Sequence, residues 1–199
     1  EEWLIETVKV ACRNDAVNWV VKIHPDYVWT LKILGKGEVR DHIALAANIG
    51  AFPDHVKLLE PDTDISTYSL FSVMDYCLTV RGTIGIEAAC FGIPVLTAGT
   101  GRYAGLGFTI DSLTREAYVN RLVRIQEVPK LTPEQTELAR QHAYALFKLR
   151  PWPFTTFETT QQSLGRIGHP LGHNVVVRMR SFRDLQDAPD LRAFSGWVE

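Results

Sequence analysis

YCLTVRGTIGIEAACFGIPVLTAGTGR, residues 76–102, is the stretch that decides the fold. YCLTV is short, apolar and β-branched, the form of a buried strand. Arg81, Gly82 and Thr83 interrupt it. TIGIEAACFG then runs with small and apolar residues at helical spacing and closes on Gly92. PVLTA (94–98) is a second buried strand. A strand, a short loop, a helix and a strand make one crossover of a parallel sheet. Turn chemistry alone needs fewer polar and glycine residues than Arg81, Gly82, Thr83, Gly85 and Glu87, so the loop is a candidate site for an anionic ligand.

The same alternation extends to either side. WLIETVKVACR (3–13) predicts a helix and NWVVKIHP a buried strand stopped by Pro25. VRDHIALAANIG (39–50) predicts a helix closed by Gly50, and HVKLLEP the next strand. DISTYSLFSVMD (64–75) is a helix capped by Asp64 or Ser66, with Leu70, Phe71 and Met74 on one face. TREAYVNRLVRIQ follows Thr114 as cap, and PEQTELARQHAYALFKLR opens on Thr132 and Pro133. The fold class expected is therefore α/β, a Rossmann-like parallel sheet with helices on both faces. Strands 18–24, 56–60, 76–80 and 94–98 are expected as parallel neighbours. Residues 1–150 form the main domain. The tail, 151–199, reads as loop-like to about 174, with one short strand and a final helix beyond, packing on this domain or on another.

Composition sets the limits. The chain has 199 residues, 46% of them hydrophobic, and a formal charge of −2. That is enough for a sizeable core and gives no bulk electrostatic reason for a nucleic-acid partner. Cys12, Cys77 and Cys90 have no metal-type spacing and read as reduced thiols of a cytoplasmic protein. No apolar run is long enough to span a bilayer. The start, EEWLIETVKV, lacks a methionine and is already helical in pattern, as expected of a segment of a longer protein.

Three loops are expected at one sheet edge, beyond the strand carboxyl ends where α/β folds bind ligands. The first is 81–87. Amides of Gly82 to Ile86 and the Thr83 hydroxyl suit a phosphate, the glycines allow close approach, and Glu87 suits ribose hydroxyls. Its plainer reading is a turn at Gly82, a cap at Thr83 and a helix-start acid at Glu87. The second is KIHP, where His24 projects from a strand end and can donate to a phosphate. A histidine satisfied at a strand end is the plainer account. The third is TAGTGRYAGLG (97–107), with Thr100, Arg102 and Tyr103. Arg102 suits a carboxylate or phosphate, and a solvated surface arginine is equally consistent. The acids of DTD (62–64) are better read as capping than as metal ligands. His169 and His173 lack the helix and the third ligand of a zinc site.

KIHP together with DISTYSLFSVMDYCLTVRGTIGIEAACFGIPVLTAGTGRYAGLGFTID resembles the bacterial capsule polysaccharide biosynthesis family, which includes Kdo-transferring glycosyltransferases. The resemblance is dense over residues 20–125 and also runs to the carboxyl-terminal half of GT-B glycosyltransferases. It implies a domain that binds a CMP- or UDP-linked sugar donor and transfers the sugar to a glycan or glycolipid acceptor, without metal or other cofactor. His24 and Pro25 match the HP motif that contacts donor phosphate, with His24 in the catalytic role. Gly82 and Thr83 match the phosphate-holding loop and Glu87 the ribose-gripping acid. Arg81 stands where a small residue is common. The second acid seen seven or eight residues later in retaining GT-B enzymes is absent. A missing amino-terminal domain would supply the acceptor base. The implied setting is cytoplasmic, with peripheral association at the inner membrane face allowed. Similar motifs occur in nucleotide-sugar epimerases, so an epimerase or a non-catalytic export or assembly module is the alternative.

Overall fold

The computed structural model describes residues 2–24, 40–163 and 170–198. Pro25, the 26–37 segment and His169 lie outside them. The chain divides into two compact units, at Tyr144 and Ala145.

The first unit is built from parallel strands and flanking helices, as expected for an α/β fold. Helix α1 (Glu2–Ala11) leads into β1 (Trp19–Lys22), helix α2 (Arg40–Asn48) into β2 (Val56–Leu59), and a single turn, α3 (Thr67–Leu70), into β3 (Cys77–Thr79). Helix α4 (Ile84–Cys90) connects to β4 (Val95–Ala98), followed by β5 (Ile110–Ser112), α5 (Arg115–Val123) and α6 (Pro133–Tyr144). Strand β1 pairs in parallel with β2, Trp19 opposite Val56. Strands β3, β4 and β5 form a parallel ladder in that order, Cys77 opposite Val95 and Leu96 opposite Ile110.

The four expected strands thus form, among the described residues, two short ladders. Side-chain packing unites them: Trp19 and Val56 share one buried cluster with Leu96, and Val21 and Leu78 pack against it. Val95, Leu96 and Thr97 have no exposed surface, which requires cover on both faces of β4. Tyr118 and Leu122 of α5, with Val10 and Ala11 of α1, cover the Leu96 side. The two helices are tied by Thr7 and Tyr118, whose hydroxyls lie 3.1 Å apart, and by Arg115 bridging Glu2 and Glu6.

Local signals explain most boundaries. Gly92 adopts φ +80° at the end of α4, with its amide on Ala89 O and the Ile93 amide on Ala88 O. This left-handed closure satisfies the last carbonyls and favours glycine. Thr114 accepts from the Ala117 amide, and Thr132 and Gln135 cap α6 reciprocally. The 64–75 segment departs from expectation: its α-helix lasts one turn, capped by Ser66. Ser69 and Ser72 donate to the carbonyls three residues back, offering them an alternative to helical bonding. Strand β5 escapes the sequence reading because three residues carry no periodicity.

The second unit replaces the expected loop with an antiparallel pair, β6 (Phe157–Ser163) and β7 (Pro170–Val177). FETTQQS is polar and threonine-rich, so the apolar alternation that marks a strand is missing. Two helices follow, α7 (Phe182–Asp187) and α8 (Pro189–Val198), and Ser181 and Asp184 form a capping box at the first. Asp190 clamps this unit. Its carboxylate accepts from the Thr156 hydroxyl and from the amides of Thr156 at 2.7 Å, Thr155 at 2.6 Å and Leu191 at 3.0 Å.

These bonds, the Thr156 hydroxyl foremost, hold the Asp190 carboxyl well below its ordinary range. A depressed folded-state pKa stabilises above the unfolded value, about 3.9, and the stabilisation is lost as pH falls below it. Asp190→Asn is therefore expected to lower the melting temperature at pH 7, with the gap to wild type closing as pH drops below about 4. Thermal melts across that range check this. A gap independent of pH would assign the loss to geometry and not to charge.

Candidate functional site

The candidate site is built where β3 ends. Thr79, buried at the last position of that strand, accepts the Gly82 amide on its hydroxyl at 3.2 Å and so shapes the loop. The amides of Gly85, Ile86 and Glu87 are used by Gly82 O and Thr83 O. The expected set of amides from Gly82 to Ile86 therefore narrows to Thr83 and Ile84, which have no acceptor among the described residues. Thr83 makes no side-chain capping bond, and Arg81, Gly82 and Thr83 are exposed.

Gly85, named above as a candidate ligand contact, packs against the protein itself. It is buried, and a Cβ placed there would lie 2.2 Å from Tyr103 Oη and 2.7 Å from Cζ. Tyr103, 1% exposed, donates its hydroxyl to Gly82 O at 2.9 Å. Burial is the main cause that pushes its phenol up to about 12, so it stays a neutral donor at any ordinary pH. This one side chain binds the 99–107 loop to the glycine loop. Gly101 adds a second close approach, since a Cβ there would sit 3.1 Å from Val80 O.

Asp111 braces the same loop from β5. It accepts from the Thr97 hydroxyl at 2.7 Å, the Thr109 hydroxyl at 2.8 Å and the Gly105 amide at 2.7 Å. Arg102 is carried exposed on this braced loop, beside a tyrosine whose position is set by packing. Neither Tyr103 nor Asp111 can be assigned these duties from composition. The hint in the sequence is the small residue Gly85, whose partner must be large.

Glu87 is half-buried on α4. The nearby carboxylate, through its hydrogen-bonding capacity first and its negative charge second, raises the Tyr68 phenol above its ordinary value. Tyr68 was not singled out by sequence reasoning. The segment that carries it also receives β1, because Lys22 Nζ donates to Ile65 O at 3.0 Å. His24 is exposed two residues past Lys22, after the Ile23 amide bonds to Leu59 O. The exit of β1 thus lies against the 65–68 segment. Two surface depressions, one lined by Glu2, Ile5, Glu6, Lys9 and Asn48 and the other on α6, share no residue with this edge.

Burial also governs the thiols. It pushes Cys77 up to about 12 and raises Cys12 and Cys90 above their ordinary value, so none is activated as a nucleophile. Among the described residues no group of three histidine, cysteine or acidic side chains is placed to hold a metal, and no helix is long and apolar enough to cross a membrane.

Residues 4–144 match the family described as capsule polysaccharide biosynthesis protein. No curated protein and no solved structure matches the chain. The matched region holds every parallel strand and each of the three loops, and the chain belongs to the capsule polysaccharide biosynthesis family.

Proposed function

We propose that this chain is the donor-binding, carboxyl-terminal part of a glycosyltransferase that builds capsule or another surface polysaccharide, with residues 1–150 holding a nucleotide sugar. The supporting observation is the braced pair of loops at the β3 and β4 exits. They carry the Thr83 and Ile84 amides and Arg102 on a surface fixed by Tyr103. In this reading those amides, the Thr83 hydroxyl and Arg102 take the diphosphate or phosphodiester of a CMP- or UDP-linked sugar. His24 and Pro25 contact the phosphate, Arg81 contributes positive charge at the loop, and Glu87 takes ribose hydroxyls.

The transfer step follows from those roles. An acceptor hydroxyl of a glycan or glycolipid attacks the anomeric carbon, the carbon–oxygen bond to the nucleotide breaks, and the phosphate oxygen takes the electron pair. Groups that stabilise that leaving charge accelerate the step. A base deprotonates the acceptor, and this reading places it on a separate domain. No metal enters the scheme. The site works in the cytoplasm, at or near the inner face of the membrane.

Ligand-observed NMR with CMP, UDP, ADP and GDP should show binding of a pyrimidine nucleotide to this chain. Incubating the full-length protein with the matching nucleotide sugar and an acceptor glycan should release free nucleotide. Binding without release points to a module that has kept the fold and lost the chemistry. Conversion of the donor without an acceptor points to an epimerase.

A further inference from the structure

We propose that Phe91 and Tyr68 form the seat of the nucleobase, with the flat face of the base on Phe91 and its edge against Tyr68. The inference rests on the reading of the 81–87 loop and Glu87 given above and adds to it what holds the third part of the nucleotide.

Helix α4 has one open side. Gly85, Ile86, Ala88 and Ala89 are buried, while Thr83 and Phe91 are exposed and Glu87 is half-buried. Thr83, Glu87 and Phe91 stand at four-residue steps, so they follow one another along a single stripe, with about 6 Å of helix rise per step. The group suited to phosphate comes first, the acid suited to ribose second and an aromatic ring third. That is the order of the parts in a nucleotide.

The ring that ends the stripe belongs to a fixed group. Phe91 is 64% exposed and Tyr68 63%, whereas Phe71, the ring between them, is only 8% exposed. Phe91 packs on Phe71 with centroids 4.9 Å apart, and Tyr68 meets Phe71 edge-on at 5.5 Å. One buried ring thus holds two others whose outer faces stay open. Tyr68 stands at 85° to Phe71 and Phe91 at 38°, so the two open rings are not parallel. They make a floor and a wall. The backbone under each is held as well: the Phe91 amide donates to Ala88 O at 3.0 Å, and Ser66 accepts the Tyr68 amide at 3.2 Å. Rings set in place before binding lose little freedom when a base stacks on them. Stacking tolerates any base, so this seat supplies affinity and leaves the choice among bases to other groups.

Calorimetry with UMP, CMP and ribose 5-phosphate on wild type, Phe91→Leu and Phe91→Trp tests this. Leucine keeps aliphatic cover over Phe71 and removes the aromatic face, and tryptophan enlarges that face. Wild type should bind either nucleotide about tenfold more tightly than ribose 5-phosphate. Phe91→Leu should cut that ratio to about threefold or less, and Phe91→Trp should restore it. Ribose 5-phosphate itself should bind all three proteins alike. Urea unfolding checks that each variant is folded, and Tyr68→Leu, which should also narrow the ratio, keeps the test open if Phe91→Leu is not. A full ratio in a folded Phe91→Leu protein overturns the seat and leaves the donor reading standing. Equal affinity of wild type for nucleotide and ribose 5-phosphate does the same. No binding of either nucleotide to wild type overturns both.

Discussion

Gly85→Ala is expected to destabilise the protein by about 3 kcal/mol, the upper end of what overpacking a core costs. The added methyl would sit 2.2 Å from Tyr103 Oη and 3.1 Å from Thr79 Cγ2, separations that no rotamer change of alanine can relieve. Tyr103 has nowhere to retreat. Its ring stacks on Phe108, centroids 6.1 Å apart, and Phe108 itself is fully buried and faces His142. Movement of Tyr103 would also break its bond to Gly82 O and leave a buried hydroxyl unpaired, a further cost of about 1–3 kcal/mol. Urea unfolding should show a lower midpoint at unchanged slope. Tyr103→Leu in the Gly85→Ala background removes the clashing atoms, so the two changes together should cost less than their sum. Strict additivity would mean that Tyr103 is not what excludes a side chain at Gly85.

That residue also marks how far the sequence could be read. Its position after a strand and inside a helix start suggested close approach, and the close approach is real. The neighbour that the fold supplies is a tyrosine 18 residues later. A lone glycine reports that space is scarce, and says nothing of who occupies it. The parallel strands were legible because β-branched runs of four or five residues alternate with helical periods and end in glycine or proline. The 64–75 segment was legible in place and cap but not in length, because serine side chains divert carbonyls without disturbing the apolar pattern. Strand β5 and the β6–β7 pair were not legible. One is too short to show a period, and in the pair FETTQQS is polar and threonine-rich while PLGHNVVV shows no apolar alternation.

The candidate site divides along the same line. Residues on a loop exit, such as His24, Arg81, Thr83 and Arg102, were identifiable from local order and are exposed in the structure. Residues that fix those loops through distant contacts were not. Asp111 acts across 14 positions on Thr97, and Tyr103 across 21 on Gly82. Such pairings depend on which strands become neighbours, so they emerge only with the fold. A rigid support matters for the proposed chemistry, because donors aimed at a leaving phosphate stabilise it best when they need no rearrangement.

Gly82 is the position at which ligand binding and folding should come apart most cleanly. A Cβ there would meet Thr79 Oγ1 at 3.1 Å and Ile84 Cγ2 at 3.2 Å, tight contacts that a shift of a few tenths of an ångström relieves. Its φ is not in the left-handed region, so a side chain adds no backbone strain. Gly82→Ala should accordingly be tolerated, at a cost below about 1 kcal/mol. Gly82→Val adds two further methyls on an exposed loop, over the amides of Thr83 and Ile84. If those amides hold phosphate, blocking both removes two charge-assisted hydrogen bonds, roughly 3 kcal/mol or about a hundredfold in affinity. The loss should be equal for ribo- and deoxynucleotides, because the sugar is not what is displaced. Calorimetry of Gly82→Val beside Gly82→Ala, with unfolding curves for each, decides the matter. Unchanged nucleotide affinity in a folded Gly82→Val protein would make the loop a turn that carries the chain from strand to helix, and would move the phosphate site elsewhere along the sheet edge.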